Sequence, residues 1–191
     1  MAHARGRRVV AHATTTGTVV AAQQAGVDVV THAPLDAPLE PDDASRMALE
    51  GRLAVPTLTM MEATARNLGL DYGHARASVT AMHAAGVVVL AGTDANAAPG
   101  VPASVPHGES LSHELELLVE AGLSPLEALR AATVLPAQHL GLGDRGAVEP
   151  GLRADLVLLD GDPLVDITAT RRLLRVWCGG VEREVAADAK A

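Results

Sequence analysis

Short apolar runs alternate with helical patterns from Arg8 to Ala91, and this repetition restricts the folds that the chain can adopt. Each of Gly26, Gly51 and Gly86 stands just after a helical pattern and just before an apolar run, where a left-handed helix C-cap is needed. Strands that alternate with helices in this way are typical of a parallel sheet. The predicted order is strand 8–11, helix 15–25, strand 27–31, helix 41–52, strand 53–59, helix 74–85 and strand 87–91.

The chain after Ala91 changes character part-way along. Two further helices are predicted at 109–121 and 125–132, the second with Ser124 as its N-cap. From Gly143 onward, Gly, Asp and Pro turns separate short apolar runs that are typical of strands. These predicted strands are 154–159, 173–178 and 181–185. We therefore predict an α/β domain over 1–142 and a small sheet domain over 143–191.

The strand-helix units leave two architectures open. They form half of a (β/α)8 barrel or a small open doubly wound sheet, and periodicity does not distinguish the two. Aromatic residues make up only 1% of the chain, so Ala, Val and Leu must fill the core at close backbone spacing. In both architectures the functional side chains lie at the carboxyl ends of the parallel strands. The choice between the two architectures therefore depends on the chemistry of those side chains.

Composition disfavours several classes of partner. The net charge is -8 and the 15 Lys and Arg residues form no dense run, which argues against a nucleic acid or an anionic membrane. The apolar run 84–91 is too short to span a bilayer, and no secretion signal follows the basic residues at 1–8. Cys178 is the single cysteine, so a disulfide within the chain and a thiolate zinc cluster are both excluded. We expect a cytoplasmic protein.

Three candidate metal ligands follow predicted strands. His12, His32 and Asp94 lie at the carboxyl ends of the first, second and fourth strands, on one edge of a parallel sheet. Imidazoles and carboxylates are usual ligands for zinc or a similar divalent ion, and a catalytic site needs about three protein ligands plus water. Taken singly, each histidine is more often a hydrogen-bonded structural residue, and Asp94 in the loop GTDAN fits an Asx turn or a helix cap. The three together favour a metal site.

The same segments resemble a known family. The sequences VAHA at 10–13, VTHA at 30–33 and AGTDA at 91–95 resemble strands five, six and eight of the amidohydrolase superfamily in order and spacing. Two later stretches, EAGLSP at 120–125 and GLRADLVLLDGDP at 151–163, are similar to imidazolonepropionase-like and prolidase-like members. In those members the second stretch leads from the barrel into a small β-sandwich. The resemblance implies a partial (β/α)8 TIM barrel, family strands five to eight, followed by a small β-sandwich segment.

The resemblance also implies a reaction. Family members hydrolyse a carbon–nitrogen bond in an amide, cyclic amide or X-Pro substrate by means of metal-activated water. In that scheme His12, His32 and Asp94 bind a divalent metal, with zinc as the first choice and manganese or iron(II) as alternatives. Asp94 is also the expected catalytic residue, which takes a proton from the attacking water and passes it to the leaving nitrogen. His107, in a family-like His-Gly pair, is expected to bind the substrate, a small amide or dipeptide-like molecule.

The sequence departs from the family pattern in two respects. The family's metal centre also uses a His-x-His pair from strand one, and no such pair occurs in this sequence. Binuclear members use a carboxylated lysine on strand four, whereas the single lysine here is Lys190. A complete barrel takes about 250 residues, so we expect a truncated chain. Its open strand edges favour pairing with another copy, as in a homo-oligomer.

Three functions stay open on these grounds. The first, which we favour, is a metal-dependent hydrolase whose remaining half is not in this sequence. The second is a non-catalytic remnant or interaction module that lacks a complete metal site. The third is an independent open α/β binding domain in which the histidines and the aspartate are structural residues.

Overall fold

A computed structural model describes residues 1–185 of the chain. Contacts between residues separate two compact units, Met1–Leu123 and the segment from Ser124 onward. This division falls earlier than the boundary that we predict between 142 and 143, since the two helices after Leu123 belong to the second unit. The assignment of 1–142 and 143–191 to two domains stays a prediction, and Lys190 lies outside the described residues.

The first unit alternates strands with helices. Its strands are β1 (Val10–His12), β2 (Val29–Thr31), β3 (Leu53–Val55) and β4 (Val88–Val89). Its helices are α1 (Thr16–Gln24), α2 (Pro41–Leu49), α3 (Leu58–Leu68), α4 (Gly73–Ala84) and α5 (Ser110–Glu120). A short 3-10 helix, His3–Arg5, precedes β1. Apart from α3, this is the predicted order of elements.

The strands of the first unit form one parallel sheet in the order β1-β2-β3-β4. Val29 of β2 pairs with Val10 on one side and with Leu53 on the other, and Leu53 pairs in turn with Val88. The parallel pairing confirms the prediction from the strand-helix alternation. Strands that are neighbours in the sheet are also consecutive in the chain.

Aliphatic side chains and methionine fill the core between this sheet and helices α1, α2 and α4. Val19 of α1, Met47 of α2 and Met82 of α4 are fully buried and share one cluster with Val30 of β2. Burying a side chain of this size contributes about 1.5–3 kcal/mol. This packing holds β1 and β2 against their helices, and so it fixes the residues that follow each strand.

The segment after the third strand differs from the prediction. The apolar run 53–59 predicts a strand, but β3 ends at Val55 and α3 begins at Leu58. Two residues separate the elements: Pro56, which has no N–H to donate to a neighbouring strand, and Thr57, whose φ of 50° ends the extended conformation. The chain therefore turns into a helix immediately past the carboxyl edge of the sheet.

The second unit combines helices with an antiparallel sheet. Its helices are α6 (Pro125–Ala132) and α7 (Val134–Leu140), and its strands are β5 (Leu156–Leu159), β6 (Leu173–Cys178) and β7 (Val181–Arg183). Ser124 forms the predicted N-cap of α6: its Oγ accepts from Glu127 N at 3.3 Å, and Glu127 Oε2 accepts from Ser124 N at 2.7 Å. The strands pair antiparallel in the order β5-β6-β7. Across residues 1–185, no helix combines the length and apolarity needed to cross a bilayer.

Candidate active site

The two histidines that we predict as ligands lie side by side at the carboxyl edge of the parallel sheet. His12 is the last residue of β1 and His32 directly follows β2, so the parallel pairing of these strands brings the two together. His12 Nδ1 and His32 Nε2 lie 3.0 Å apart, within hydrogen-bonding distance. Their ring centroids are 4.7 Å apart and the ring planes meet at 78°, an edge-to-face contact.

His32 is the buried member of the pair, with 6% of its surface exposed. Its Nδ1 lies 2.5 Å from the hydroxyl of Thr57, which follows the neighbouring strand β3. Burial lowers the pKa of His32, the nearby His12 lowers it further, and the charge of Asp94 acts in the opposite direction. The neutral imidazole favoured in this way is the form that binds a metal or accepts a proton.

Asp94 lies in the loop after β4, with a φ of 51° that places its backbone in the left-handed region. Two short-range hydrogen bonds hold this loop: Ala95 N donates to Thr93 Oγ1 at 3.2 Å, and Asn96 Nδ2 donates to Asp94 O at 2.9 Å. The Asp94 side chain is exposed. The charge of Asp94 raises the pKa of His32, against the larger effect of burial.

All three predicted ligands line one cavity of about 470 Å³. Polar groups from Asp36 and Asn96 add to the same wall. The apolar part of the wall comes from Leu35, Met60, Met61, Leu68, Leu70 and Val101. A mostly apolar cavity with a few convergent polar groups is typical of a small-molecule site.

The structure does not bring His107 to this cavity. His107 is exposed in the turn before α5 and does not belong to the cavity wall. Its predicted role in substrate binding stays a prediction.

The histidine pair fits a divalent metal in part. Two nitrogens bound at about 2.0 Å to a tetrahedral zinc lie about 3.3 Å apart, and the facing nitrogens of His12 and His32 are separated by 3.0 Å. The second ring nitrogen of His32 is hydrogen-bonded, as in most histidines that bind metals. Within residues 1–185, however, no group of three or more His, Cys, Asp or Glu side chains is close enough to hold a metal. The described residues supply two preorganised nitrogens and one carboxylate on the same cavity.

Sequence reasoning missed two residues that support the site. One is Thr57, and the other is Glu114 of α5, which is fully buried and accepts hydrogen bonds from Leu58 N and Thr59 N. Nothing in the predicted helix 109–121 assigns a role to Glu114. A signal was available, since helical spacing places Glu114 on the same face as Leu117, and a carboxylate on an apolar face needs a partner.

A family model described as the amidohydrolase family matches residues 1–183. The chain belongs to the amidohydrolase family. Among curated relatives, it is 44% identical over 52 residues to an adenine deaminase of Methanothrix thermoacetophila, a match that covers 27% of this chain and 9% of that protein. It is 39% identical over 71 residues to adenine deaminase 2 of Desulfotalea psychrophila, which covers 37% of this chain and 11% of the relative.

Solved structures of amidohydrolases match over nearly the whole chain. A Xaa-Pro dipeptidase with bound methionine has a TM-score of 0.81 at 24% identity and covers 96% of this chain and 46% of its own. A putative prolidase from Bifidobacterium longum has a TM-score of 0.76 at 30% identity and covers 98% of this chain and 50% of its own. This amidohydrolase chain thus spans about half the length of the structures that it resembles, and the matched stretches cover about a tenth of the adenine deaminases.

Proposed function

We propose that this chain carries part of the metal-binding active site of a hydrolase that cleaves carbon–nitrogen bonds in small molecules. The observation that carries the proposal is the contact between His12 and His32, with Asp94 on the same cavity. In this proposal the sheet β1–β4 belongs to a (β/α)8 barrel, and β5–β7 belong to a small β-sandwich. The sequential order of the parallel strands supports the barrel.

In the proposed reaction, His12, His32 and the Asp94 carboxylate would hold the metal. Zinc suits these donors best, and manganese or iron(II) are alternatives. The bound metal would polarise the scissile carbonyl and lower the pKa of water. Asp94 takes the proton of the attacking water at a carboxylate oxygen and delivers it to the leaving nitrogen. Its exposure on the cavity wall leaves the carboxylate accessible to both groups.

The cavity supports a small amide or dipeptide-like substrate with an apolar part. Met60 and Met61 of α3 and Leu35 provide apolar surface beside the histidine pair. Burial of an apolar group there would exclude water from the neighbourhood of Asp94, and removal of water strengthens electrostatic interactions. The structural similarity to prolidases supports X-Pro dipeptides as one class to test.

The proposal is tested by measuring metal binding and hydrolysis on the purified chain. Zinc stoichiometry, the visible spectrum of the cobalt(II) form, and turnover of N-acyl amino acids, X-Pro dipeptides and adenine would be compared across variants. We expect one metal per chain, loss of that metal in His12→Asn and His32→Asn, and loss of turnover in Asp94→Ala. Asp42→Ala is the matched control, because Asp42 is an exposed carboxylate on α2. The same assays on His107→Ala test the predicted role of His107 in substrate binding.

The outcomes separate the competing interpretations. Metal binding that is lost in the histidine variants, together with no turnover of any substrate by the wild type, would favour a non-catalytic module. Wild-type protein that retains no metal, or histidine variants that retain as much metal as wild type, would refute the proposed site.

A further inference from the structure

Thr57 occupies the N-cap position of α3 but does not act as a cap. A threonine at an N-cap normally accepts a hydrogen bond from a backbone N–H in the first turn of the helix. Thr57 instead has a φ of 50° and a ψ of 50°, and its side chain makes no capping hydrogen bond. Its hydroxyl is directed to His32 Nδ1 at 2.5 Å. The residue that should cap α3 therefore contacts the histidine pair.

Glu114 caps the helix in its place, from a distant part of the sequence. One carboxylate oxygen accepts from Leu58 N at 2.9 Å, and the other accepts from Thr59 N at 2.7 Å and Thr59 Oγ1 at 2.9 Å. These are the first two backbone donors of α3, and both would otherwise be buried without a partner. A carboxylate at the amino end of a helix also interacts favourably with the helix dipole.

These contacts form a continuous path from α5 to the histidine pair. Glu114 accepts hydrogen bonds from the first turn of α3 and so fixes the position of that turn. Thr57 directly precedes the turn, and its hydroxyl contacts His32 Nδ1. His32 Nε2 then faces His12 Nδ1 at 3.0 Å. Each participant from Thr57 to Glu114 is buried, with Thr57 3% exposed and Glu114 fully enclosed, so water does not compete for these hydrogen bonds.

We propose that Glu114 is a positioning residue: by capping α3 it releases the Thr57 hydroxyl to hold His32 in one ring orientation. The nitrogen that faces His12 is thereby determined by a residue 82 positions away from His32 in the chain. This inference rests on the proposed function only for its effect on metal binding. The orientation of His32 is independent of any metal.

The test is the hydrogen bond at His32 Nδ1 in the metal-free protein. Long-range ¹H–¹⁵N correlation spectra at pH 8 report the chemical shifts of both ring nitrogens, and the Nδ1 shift responds to the hydrogen bond with Thr57. We expect one set of ring signals in the wild type and a changed Nδ1 shift in Thr57→Val, which keeps the shape of the side chain and removes the hydroxyl. Thr57→Ser should restore the wild-type spectrum.

Glu114→Gln tests the distant member of the path. Gln replaces one acceptor oxygen by an NH2 group, so either Leu58 N or Thr59 N loses its acceptor, and the His32 signals should shift toward those of Thr57→Val. Thr80→Val is the control, because Thr80 Oγ1 donates to Ala121 O at 2.7 Å, outside the path. A folded Glu114→Gln protein with the wild-type His32 spectrum would overturn the inference, as would a His32 Nδ1 shift that is the same in Thr57→Val and the wild type.

Metal affinity separates this inference from the proposed function. If both hold, Thr57→Val and Glu114→Gln should bind zinc about 10–100-fold more weakly, the range found when partners of metal-binding histidines are removed. If the wild type binds no zinc but the His32 Nδ1 shifts change as expected, the proposed function fails and the positioning role of Glu114 stands.

Discussion

The buried carboxyl group of Glu114 should make the stability of this protein fall as pH rises. Burial raises the pKa of Glu114 from 4.5 to about 7, although the hydrogen bonds from Thr59 and Leu58 act in the opposite direction. Between these two pKa values the folded protein holds a proton that the unfolded chain has lost. The stabilisation linked to this proton is complete below pH 4.5 and disappears as pH rises through about 7.

The magnitude follows from the size of the shift. A rise from 4.5 to about 7 corresponds to about 3 kcal/mol over the whole range, of which about 2–3 kcal/mol falls between pH 5 and pH 8. His32 contributes with the opposite sign, because its pKa is lowered in the folded state and its stabilisation is lost as pH falls. The wild-type curve alone therefore does not isolate Glu114.

A comparison of wild type with Glu114→Gln isolates the contribution of Glu114. Both proteins are unfolded with urea at pH 5 and pH 8 in the presence of EDTA. The amide does not titrate, so the difference in free energy of unfolding between the two proteins should change by about 2–3 kcal/mol. The wild type should lose the additional stability at the higher pH. Glu109→Gln is the control, because it removes an exposed carboxyl beside the same helix and should leave the pH dependence unchanged. Parallel pH dependence in wild type and Glu114→Gln would refute the raised pKa.

Two further predictions concern packing and backbone conformation. Met47→Ala should lower the free energy of unfolding by about 2–5 kcal/mol, because Met47 is fully buried. Leu49→Ala on the same helix should change it by less than about 0.5 kcal/mol, because Leu49 is 89% exposed, and equal effects in urea unfolding would contradict the described core. Gly17→Ala should raise the melting temperature and stabilise the protein by about 0.5–1 kcal/mol, since Gly17 lies in α1 and an added Cβ meets nothing within 4 Å. A lower melting temperature would contradict the α1 geometry.

The sequence predicted those parts of the fold that depend on local patterns. The strand-helix alternation and the glycines after each helix predict parallel strands, and the register from Val10 to Val88 has that arrangement. The N-cap at Ser124 could also be predicted from the sequence, because its hydrogen bonds join residues only three positions apart. The contact of His12 with His32 followed from the strand ends once the strands were parallel.

Elements that depend on distant contacts could not be predicted in this way. The run from Leu53 to Thr59 is mostly apolar, and composition alone does not show that its second half becomes the start of α3. That start is held by Glu114, 55 residues beyond Thr59, and no local pattern connects the two. Helix α7 is not among the elements predicted from the sequence, and its Pro136 lies in the first turn, where a proline removes no intrahelical hydrogen bond.

The strained backbone of the described chain lies beside the candidate site. Among residues 1–185, Thr57 and Asp94 are the two non-glycine residues with positive φ. Such a conformation costs about 1–3 kcal/mol and is least tolerated by a β-branched residue such as threonine. Glycine at position 57 would relieve that strain but would remove the hydroxyl that holds His32. The sequence therefore retains a strained threonine whose hydroxyl contacts His32. A buried carboxylate, Glu114, supplies the cap that this threonine does not.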